Sequence, residues 1–342
     1  MEIMSHSDLL DRGSSAFEVQ QQIRRGELVR LCRGVYTPRE EVPSEEEKRH
    51  RLWVLGHARR SDYAVSHVSA AVLHGLPVGG ADLREVHVTR IGRGGQRHVA
   101  GRRVHSSPLD PTWCTVIDGV LVTTVARTLA DLLKVESLEV AVSAADAALF
   151  LKKCTRDDLN TAMAELKFHA GGPRARRALA LVDGRSESPG ETRTRLLLNT
   201  GPLPKTELQI TVFDEYGRFV GRADGGYPEH GVFWEYDGKA KYEALLRPGQ
   251  TTLDAVLAEK KRESGFTELG STIVRIDRYD LQTRVRLWDR RARALARSSQ
   301  PGWLPPRGRY ELAPWVSVPP DNHGATQRAS HADEAAPWAR CN

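Results

Sequence analysis

The chain has 342 residues, a formal net charge of +6 and 40% hydrophobic residues. At roughly 100 to 200 residues per domain, this length predicts two or three domains, and the hydrophobic content is that of a globular protein, which excludes wholesale disorder and a collagen-like chain. No run approaches 18 consecutive apolar residues, and residues 1–13 lack a signal-peptide pattern. We therefore expect a cytoplasmic protein without a membrane partner.

The first segment, residues 1–43, predicts a helix-turn-helix followed by a β-hairpin. Its predicted elements are helices 7–12 and 16–26 and strands 28–32 and 35–37. The second helix begins with the capping box Ser15-Ala16-Phe17-Glu18 and ends at Gly26, while Arg33-Gly34 forms the hairpin turn. This order is the outline of a winged helix-turn-helix.

The second helix and the hairpin carry polar groups that suit nucleic-acid binding. Candidate base-reading residues are Gln21, Gln22 and Arg25, and candidate phosphate contacts are Arg24, Arg30 and Arg33. Amide and guanidinium groups read base edges bidentately, and arginines also hold phosphates. The alternative is an ordinary solvated helix face. Helix, tight turn and basic wing together favour contact with double-stranded DNA.

The second segment, residues 45–183, is a mixed α/β middle domain. Its predicted elements are helices 45–60, 67–74, 124–134, 136–151, 155–167 and 173–183 and strands 85–91 and 116–122. The cysteines form no CxxC pair, and none of the twelve histidines lies in a zinc-binding pattern. His67 and His74 flank one helix and are expected to be packing or capping residues.

The third segment, residues 187–297, has the order α-β-β-β-α-β with an added helix. Its predicted elements are helix 189–199, strands 207–213, 218–225 and 231–238, helix 252–265, strand 271–276 and helix 279–297. The chain from 299 to 342 is proline-rich and has little periodicity, so we expect a disordered tail. The whole chain is thus a multidomain protein of the α+β or α/β class.

Carboxylates and a lysine gather in the strands of the third segment. Asp224 ends one predicted strand, and strand alternation places Glu235, Asp237 and Lys239 on one face of the next. Carboxylates suit Mg²⁺, and a lysine beside them can stabilise charge on a phosphate or position a water molecule. The alternative is a surface strand on which Lys239 neutralises Asp237. A carboxylate cluster without a cation repels itself and raises its own pKa values.

Glu191 has two interpretations that share one geometry. In Ser188-Pro189-Gly190-Glu191 the serine is the N-cap and the glutamate is at N3, which is a capping box that explains Glu191 by itself. Alternatively, Glu191 adds a carboxylate to the predicted metal site. Both interpretations can hold together.

Two parts of the chain resemble known families. The first part is similar to the AbiEi-type antitoxins of type IV toxin-antitoxin systems, in their long actinobacterial form, at Arg24–Arg30, Arg33–Tyr36, Ser66–Ala71, His74–Pro77 and Val122–Leu132. The second resembles their C-terminal domain of the very-short-patch-repair type, within the PD-(D/E)XK nuclease superfamily, at Ser188–Glu191, Arg222–Asp224, Glu235–Lys239 and Glu259–Glu263.

The resemblance implies a winged-helix repressor that binds repeats in its own promoter and acts with a nucleotidyltransferase toxin encoded nearby. It also implies a C-terminal restriction-endonuclease-like domain in which Asp224, Glu235 and Asp237 hold Mg²⁺, Lys239 assists catalysis and Glu191 supports the site. Glu235-x-Asp237 and Asp237-x-Lys239 both fit the motif, so its register stays open. The histidines and zinc ligands of a true mismatch nuclease are not evident.

Three hypotheses follow for the function. The first is a DNA-binding regulator of the antitoxin type that carries a nuclease-fold domain. The second is a working Mg²⁺-dependent DNA endonuclease that its winged helix targets. The third is a C-terminal domain that only dimerises the protein or binds DNA without cutting it. The sequence leaves the oligomeric state open, although repressors of inverted repeats are commonly homodimers.

Overall fold

The computed structural model describes residues 2–57, 63–91, 97–99, 101–166, 171–200, 203–238 and 252–314. The fold is mixed α/β and divides into two compact units, Met1–Ala144 with Lys153–Ala180 and Ala145–Lys152 with Leu181–Asn342. Among the described residues, no helix has the length and apolar character needed to cross a membrane.

Unit 1 begins with a small sheet and two helices, which we call the N-terminal module. Its elements are β1 (Met4–Ser5), α1 (His6–Asp11), α2 (Ala16–Arg25), β2 (Leu28–Cys32) and β3 (Val35–Pro38), and the strand order is β1-β3-β2. Both predicted helices and the hairpin are confirmed, whereas β1 was not predicted. A core formed by Met4, Leu9, Val19, Leu28 and Tyr36 holds the module together.

A six-stranded sheet with the order β6-β7-β5-β4-β9-β8 forms the rest of unit 1. Its strands are β4 (Tyr63–Val65), β5 (Val86–Arg90), β6 (Arg97–Val99), β7 (Arg102–His105), β8 (Cys114–Ile117) and β9 (Val120–Thr123). The prediction of one strand over 116–122 is wrong, because Asp118 and Gly119 adopt positive φ angles and turn the chain into a hairpin. The Asp-Gly pair between two apolar runs is a hairpin signal that the prediction overlooked.

The helices of this region follow their predicted places closely. They are α3 (Glu46–His57), α4 (His67–Leu73), α5 (Val125–Val135), α6 (Leu138–Phe150), α7 (Arg156–Glu165) and α8 (Gly172–Leu179). Helix α5 starts where the Thr124 hydroxyl accepts a hydrogen bond from the Arg127 N–H, and its buried face combines leucines and alanines with a buried Arg127–Asp131 ion pair. The last turn of α6 belongs to unit 2.

Unit 2 contains the predicted α-β-β-β-α-β order. Its elements are α9 (Pro189–Leu198), β10 (Glu207–Phe213), β11 (Phe219–Tyr227), β12 (Val232–Tyr236), α10 (Thr252–Glu268), β13 (Thr272–Ile276), α11 (Arg278–Gln282), α12 (Arg284–Ala296) and β14 (Arg309–Leu312). The single helix predicted over 279–297 is instead two helices that meet at Thr283, which has a non-helical backbone.

The sheet of unit 2 has the order β13-β12-β11-β10-β14, with β12 and β13 parallel and the other pairs antiparallel. The prediction of a disordered tail from 299 is wrong for β14, since residues 309–312 form a ladder with β10. These four residues contain no proline, and the partner that orders them lies about 100 residues earlier in the chain, so local composition could not reveal the pairing. Residues 315–342 of the predicted tail lie outside the described residues.

Each face of this sheet has its own core. One core joins Leu197 and Leu198 of α9 to Leu208, Trp234, Ile276 and Leu287. The other joins Phe266 of α10 to Ile210, Val212, Ala223, Phe233 and Leu269. The sheet is thus covered by α9 and α12 on one side and by α10 on the other.

A buried ion pair fixes α9 to the last turn of α6. The Arg195 guanidinium donates to Asp146 at 2.7 Å, and the Thr192 hydroxyl and the Asp183 N–H donate to the same carboxylate. Asp146 is fully buried, and burial raises its pKa to about 6 in spite of these donors. The hydrogen bonds offset the high cost of taking a carboxylate out of water.

Candidate functional site

The N-terminal module exposes one face of α2. A reciprocal capping box starts the helix: the Ser15 N–H donates to the Glu18 carboxylate, and the Glu18 N–H donates to the Ser15 hydroxyl. Val19 packs inward, whereas Phe17 on the opposite face is 70% exposed. The helix therefore has a buried anchor and an outward surface, and Gly26 ends it in the left-handed conformation at φ +74°.

The predicted DNA-contact residues differ in their exposure. Arg24, Arg25, Arg30 and Arg33 are exposed, whereas Gln21 and Gln22 are only half-exposed. The Gln22 Oε1 atom is buried and has no hydrogen-bond partner among the described residues. Gln20, which the sequence prediction passed over, is the exposed amide of α2. The arginines of the helix and the hairpin are thus presented to solvent, and the two predicted glutamines lie at the edge of that surface.

In unit 2, Glu191 lies at the start of α9 and is almost completely buried. Its carboxylate accepts hydrogen bonds from the Glu187 N–H at 2.8 Å, the Ser188 hydroxyl at 2.9 Å and the Gln209 amide at 3.0 Å. The Ser188 hydroxyl also caps α9 by accepting from the Glu191 N–H. Ser188 is therefore the N-cap, as predicted, but the Glu191 carboxylate accepts from the N–H of Glu187 rather than from that of Ser188, so the reciprocal half of the predicted capping box differs. Gln209 is a partner that the sequence did not reveal.

Strand alternation breaks beside Glu191. Leu208 packs on the α9 side of the sheet, but Ile210, two residues on, packs on the α10 side. Gln209 between them has a φ of +50°, a conformation that costs energy in a residue other than glycine. The strained residue turns its side-chain amide towards Glu191, and the break in β10 thereby creates a polar gap between the two cores.

Asp224 on β11 lies in the same situation as Gln209 on β10. Its two neighbours along the strand also face opposite sides of the sheet. Ala223 packs in the α10-side core, whereas a side chain at Gly225 would overlap Trp234 of the α9-side core. The Asp224 carboxylate accepts from the Tyr236 N–H at 2.8 Å, which ties it to the end of β12. A methyl group on Gly190 would overlap the Tyr236 ring, so the small residue lets α9 approach this strand.

Glu191 and Asp224 repel each other electrostatically. Burial, with the Asp224 charge as the second cause, raises the pKa of Glu191 to about 8, although its hydrogen bonds oppose the shift. This repulsion is the effect expected of neighbouring carboxylates without a cation. The donors that the structure describes on Glu191 are neutral, so at pH 7 the group favours its protonated form unless a cation is nearby.

Glu235 is engaged by arginines. Both of its oxygens accept from Arg262, one of them at 2.9 Å, and Arg275 lies 3.4 Å from it. Burial opposes the charge of Arg262, but the carboxylates of Glu235 and Asp224 outweigh burial and raise the pKa of the guanidinium. Arg262 therefore supplies the positive charge that the sequence prediction expected from a metal ion or a lysine.

Asp237 joins the same network at its margin. Its carboxylate lies 3.5 Å from the Arg275 guanidinium, which also contacts Glu235 and Glu259. The predicted cluster is thus split between the Glu191–Asp224 pair and the Glu235–Asp237 pair. Lys239, the remaining predicted catalytic residue, lies outside the described residues.

The oxygen donors near Glu191 are compatible with Mg²⁺. Within the described ranges, no three carboxylates bring one oxygen each within 4.8 Å of one another. Mg²⁺ keeps several waters and is commonly bound through one or two carboxylates, so the Glu191–Asp224 pair is sufficient in number. The buried Gln209 Oε1, which has no hydrogen-bond partner among the described atoms, is a further hard donor beside them.

Gln209, Arg262 and Arg275 are functional candidates that sequence reasoning missed. Gln209 gave no signal, because its role depends on a strained φ in the middle of an otherwise regular strand. Arg262 offered a weak signal, since it lies within the Glu259–Glu263 motif of the resemblance and faces its Glu259 partner at i, i+3.

No family model matches the chain. Two curated proteins are similar to it, "Uncharacterized protein Rv2248" of Mycobacterium tuberculosis strain ATCC 25618 / H37Rv and "Uncharacterized protein MT2308" of strain CDC 1551 / Oshkosh. Each is 28% identical over 286 residues, which cover 83% of this chain and 98% of the relative. The similarity therefore extends through both compact units.

Proposed function

We propose that the protein is a DNA-binding transcriptional regulator of the AbiEi antitoxin type whose second unit has a restriction-endonuclease-like fold. The observation that supports this proposal is the exposure of four arginines on one small module that has its own core, namely Arg24, Arg25, Arg30 and Arg33. We interpret this module as a winged helix, with α2 as the recognition helix and the β2–β3 hairpin as the wing. Its partner is double-stranded DNA, read by a homodimer in the cytoplasm, with a nucleotidyltransferase toxin as the functional counterpart.

The exposure pattern assigns roles within this module. Arg30 and Arg33 on the wing contact phosphates, which carry no sequence information. We propose that Gln20, Arg24 and Arg25, the exposed polar residues of α2, read base edges, and that the half-exposed Gln21 and Gln22 contribute less. This moves Arg24 from the predicted phosphate contacts to the base-reading set. The capping box at Ser15 fixes the orientation in which α2 meets the groove.

A binding measurement at matched salt tests this proposal. We expect purified full-length protein to bind the DNA upstream of its own gene more tightly than a random duplex of equal length, in gel-shift or fluorescence-anisotropy titrations. The Gln20→Ala/Arg24→Ala variant should lose that preference while it still binds both duplexes. Equal affinity of the wild-type protein for the two duplexes would contradict sequence-specific regulation.

The Glu191–Asp224 pair favours a second candidate function, a Mg²⁺-dependent DNA endonuclease. In this function Asp224 and Glu191 hold the ion, and Arg262 and Arg275 hold the Glu235 carboxylate in position. When bound, Mg²⁺ stabilises charge on the scissile phosphate and lowers the pKa of a bound water. Gln209 orients Glu191, and the Tyr236 N–H holds Asp224 in position.

Cleavage assays separate the two candidates. The protein is incubated with supercoiled and linear DNA in Mg²⁺ or Mn²⁺, with EDTA and an Asp224→Asn variant as controls and Asp214→Asn as a variant distant from the pair. Metal-dependent cutting that Asp224→Asn abolishes and Asp214→Asn keeps would establish an endonuclease. DNA binding without cutting would support the regulator with a non-catalytic second unit.

A further inference from the structure

Three histidine side chains meet in unit 1. His67 is the first residue of α4, His87 lies on β5 and His105 ends β7. Strands β5 and β7 are parallel neighbours, and β4, which pairs with β5, leads directly into α4. One ring nitrogen from each histidine lies within 4.8 Å of the other two.

The separation of the ring nitrogens is compatible with a shared ion. His105 Nε2 lies 3.3 Å from His87 Nδ1, which is also within reach of a long hydrogen bond between the two rings. Two ligands of a tetrahedral zinc with Zn–N bonds of 2.0–2.1 Å are about 3.4 Å apart. The rings of His67 and His105 stack nearly parallel, with centroids 3.6 Å apart and 15° between their planes. Ion binding therefore requires one of these rings to rotate about its side-chain bonds, and the widest nitrogen pair to close by no more than about 1.4 Å.

His67 is oriented by neighbouring groups in the manner of a metal ligand. Its Nδ1 bonds to the Ser66 hydroxyl at 2.9 Å, and the Thr89 hydroxyl donates to the same Ser66 oxygen at 2.8 Å. The bond at Nδ1 leaves Nε2 of His67 as the ligand atom, and such outer partners commonly fix ligating histidines. His67 also adopts a φ of +53°, a strained conformation that concentrates at functional sites.

Access and charge are also suitable for a cation. His67 and His87 are buried, whereas His105 is half-exposed, so an ion has a path from solvent and an open position for a water or an outside ligand. The positive charges of Arg127 and Lys134 reach His67, and Asp131 neutralises Arg127 in a buried ion pair at 3.1 Å. The charge of Arg103 reaches His87 and is opposed by that of Asp82. Imidazole nitrogens favour Zn²⁺, Cu²⁺, Fe²⁺ and Ni²⁺ over the oxygen-seeking Mg²⁺.

We propose that His67, His87 and His105 bind one divalent transition-metal ion of the Zn²⁺ type, with a fourth position open to solvent. This site is independent of the carboxylates of unit 2 and of the DNA-binding proposal. Three protein ligands with one open position are typical of zinc sites that bind or activate a further ligand. The sequence gave no warning of it, because the three histidines are separated by 20 and 18 residues and meet only through the sheet.

Metal titration of the full-length, untagged protein tests the proposal. After treatment with a chelator, the protein is titrated with Co²⁺, a spectroscopic substitute for Zn²⁺, and with Zn²⁺ itself by calorimetry. We expect one equivalent to bind with tetrahedral Co²⁺ absorption. His105→Gln should weaken binding by more than about 100-fold and Ser66→Ala by about 10–100-fold, the range found for outer partners. His74→Gln, a histidine of the same unit that bonds to the Thr123 carbonyl, is the matched control and should bind as the wild type does.

Several results would overturn the site. These are failure of the wild-type protein to take up Co²⁺ or Zn²⁺, equal affinity in His105→Gln, or a sulfur-to-cobalt charge-transfer band that assigns the ion to a cysteine. Circular dichroism checks that each variant is folded. If His105→Gln does not fold, Ser66→Ala, which keeps all three rings, decides the question, and unchanged affinity in that variant counts against the site.

Discussion

The N-terminal module and the carboxylate site of unit 2 handle charge in opposite ways. The module leaves Arg24, Arg25, Arg30 and Arg33 in solvent, where a polyanion can reach them. The carboxylate site encloses Glu191 and Glu235 and satisfies them from within, through neutral donors for the first and Arg262 for the second. Exposed charge is therefore available for association, whereas enclosed charge contributes to folding. Substitutions in the two regions should consequently affect different measurements.

The largest expected effect comes from the enclosed ion pair of unit 2. Replacing Arg195 by Leu leaves Asp146 buried without its charged partner, and we expect the free energy of unfolding to fall by about 3–5 kcal/mol in urea denaturation. The control is Arg218→Ala, which breaks the pair with Asp214 at a side chain that is 75% exposed and should change stability by less than about 0.5 kcal/mol. Similar losses of unfolding free energy in both variants would show that enclosed and exposed ion pairs do not differ in their contribution to stability.

A smaller effect, seen only in binding, is expected from the wing. Arg30→Ala/Arg33→Ala removes two phosphate contacts, so the slope of log K against log salt should flatten by about 1.8 and the affinity for any duplex should drop about 60-fold at 0.1 M salt. Stability should stay within about 0.5 kcal/mol of the wild type. Arg84→Ala is the control, since Asp82 already pairs with this exposed arginine. An unchanged salt slope in the wing variant would show that the wing does not contact DNA.

The pH dependence of stability should report on Glu191. Its pKa is raised from 4.5 to about 8 in the folded state, so the folded protein holds a proton that the unfolded chain releases between these values. The contribution of protonated Glu191 to the free energy of unfolding is fully present below pH 4.5 and is lost as pH rises through 8. The free energy of unfolding changes by at most about 1.4 kcal/mol per pH unit because of this group. Glu191→Gln should flatten the slope in unfolding curves measured from pH 5 to 9. An identical slope in the variant would place the titrating group elsewhere.

The smallest predicted change concerns the cap of α2. Ser15→Ala removes the hydroxyl that accepts from the Glu18 N–H, and we expect a loss of about 1 kcal/mol in the free energy of unfolding. Ser15→Asp, which retains an acceptor at the N-cap, should restore most of the loss. Thermal unfolding of the two variants makes the comparison, and equal melting temperatures would show that the cap does not stabilise α2.

The sequence predicted those parts of the fold whose signals are local. Helix α9 was recognised because Ser188 and Glu191 mark its first turn, and β12 because β-branched and aromatic residues are concentrated around Trp234. The pairing of β14 could not be predicted, since its partner strand lies about 100 residues away. The same limit applies to the candidate sites: Arg262 reaches Glu235 from a separate helix, and the three histidines converge from three elements.

The hydrogen bonds from β14 to β10 have a consequence for shortened forms of the chain. A protein that ends at Ser299 would keep the complete α-β-β-β-α-β order but would expose the N–H and C=O groups of β10 along one side. Unpaired strand edges pair with other chains. We expect such a shortened protein to self-associate as its concentration rises. Residues that follow the predicted domain therefore occupy the edge of the sheet and prevent β10 from pairing with a strand of another molecule.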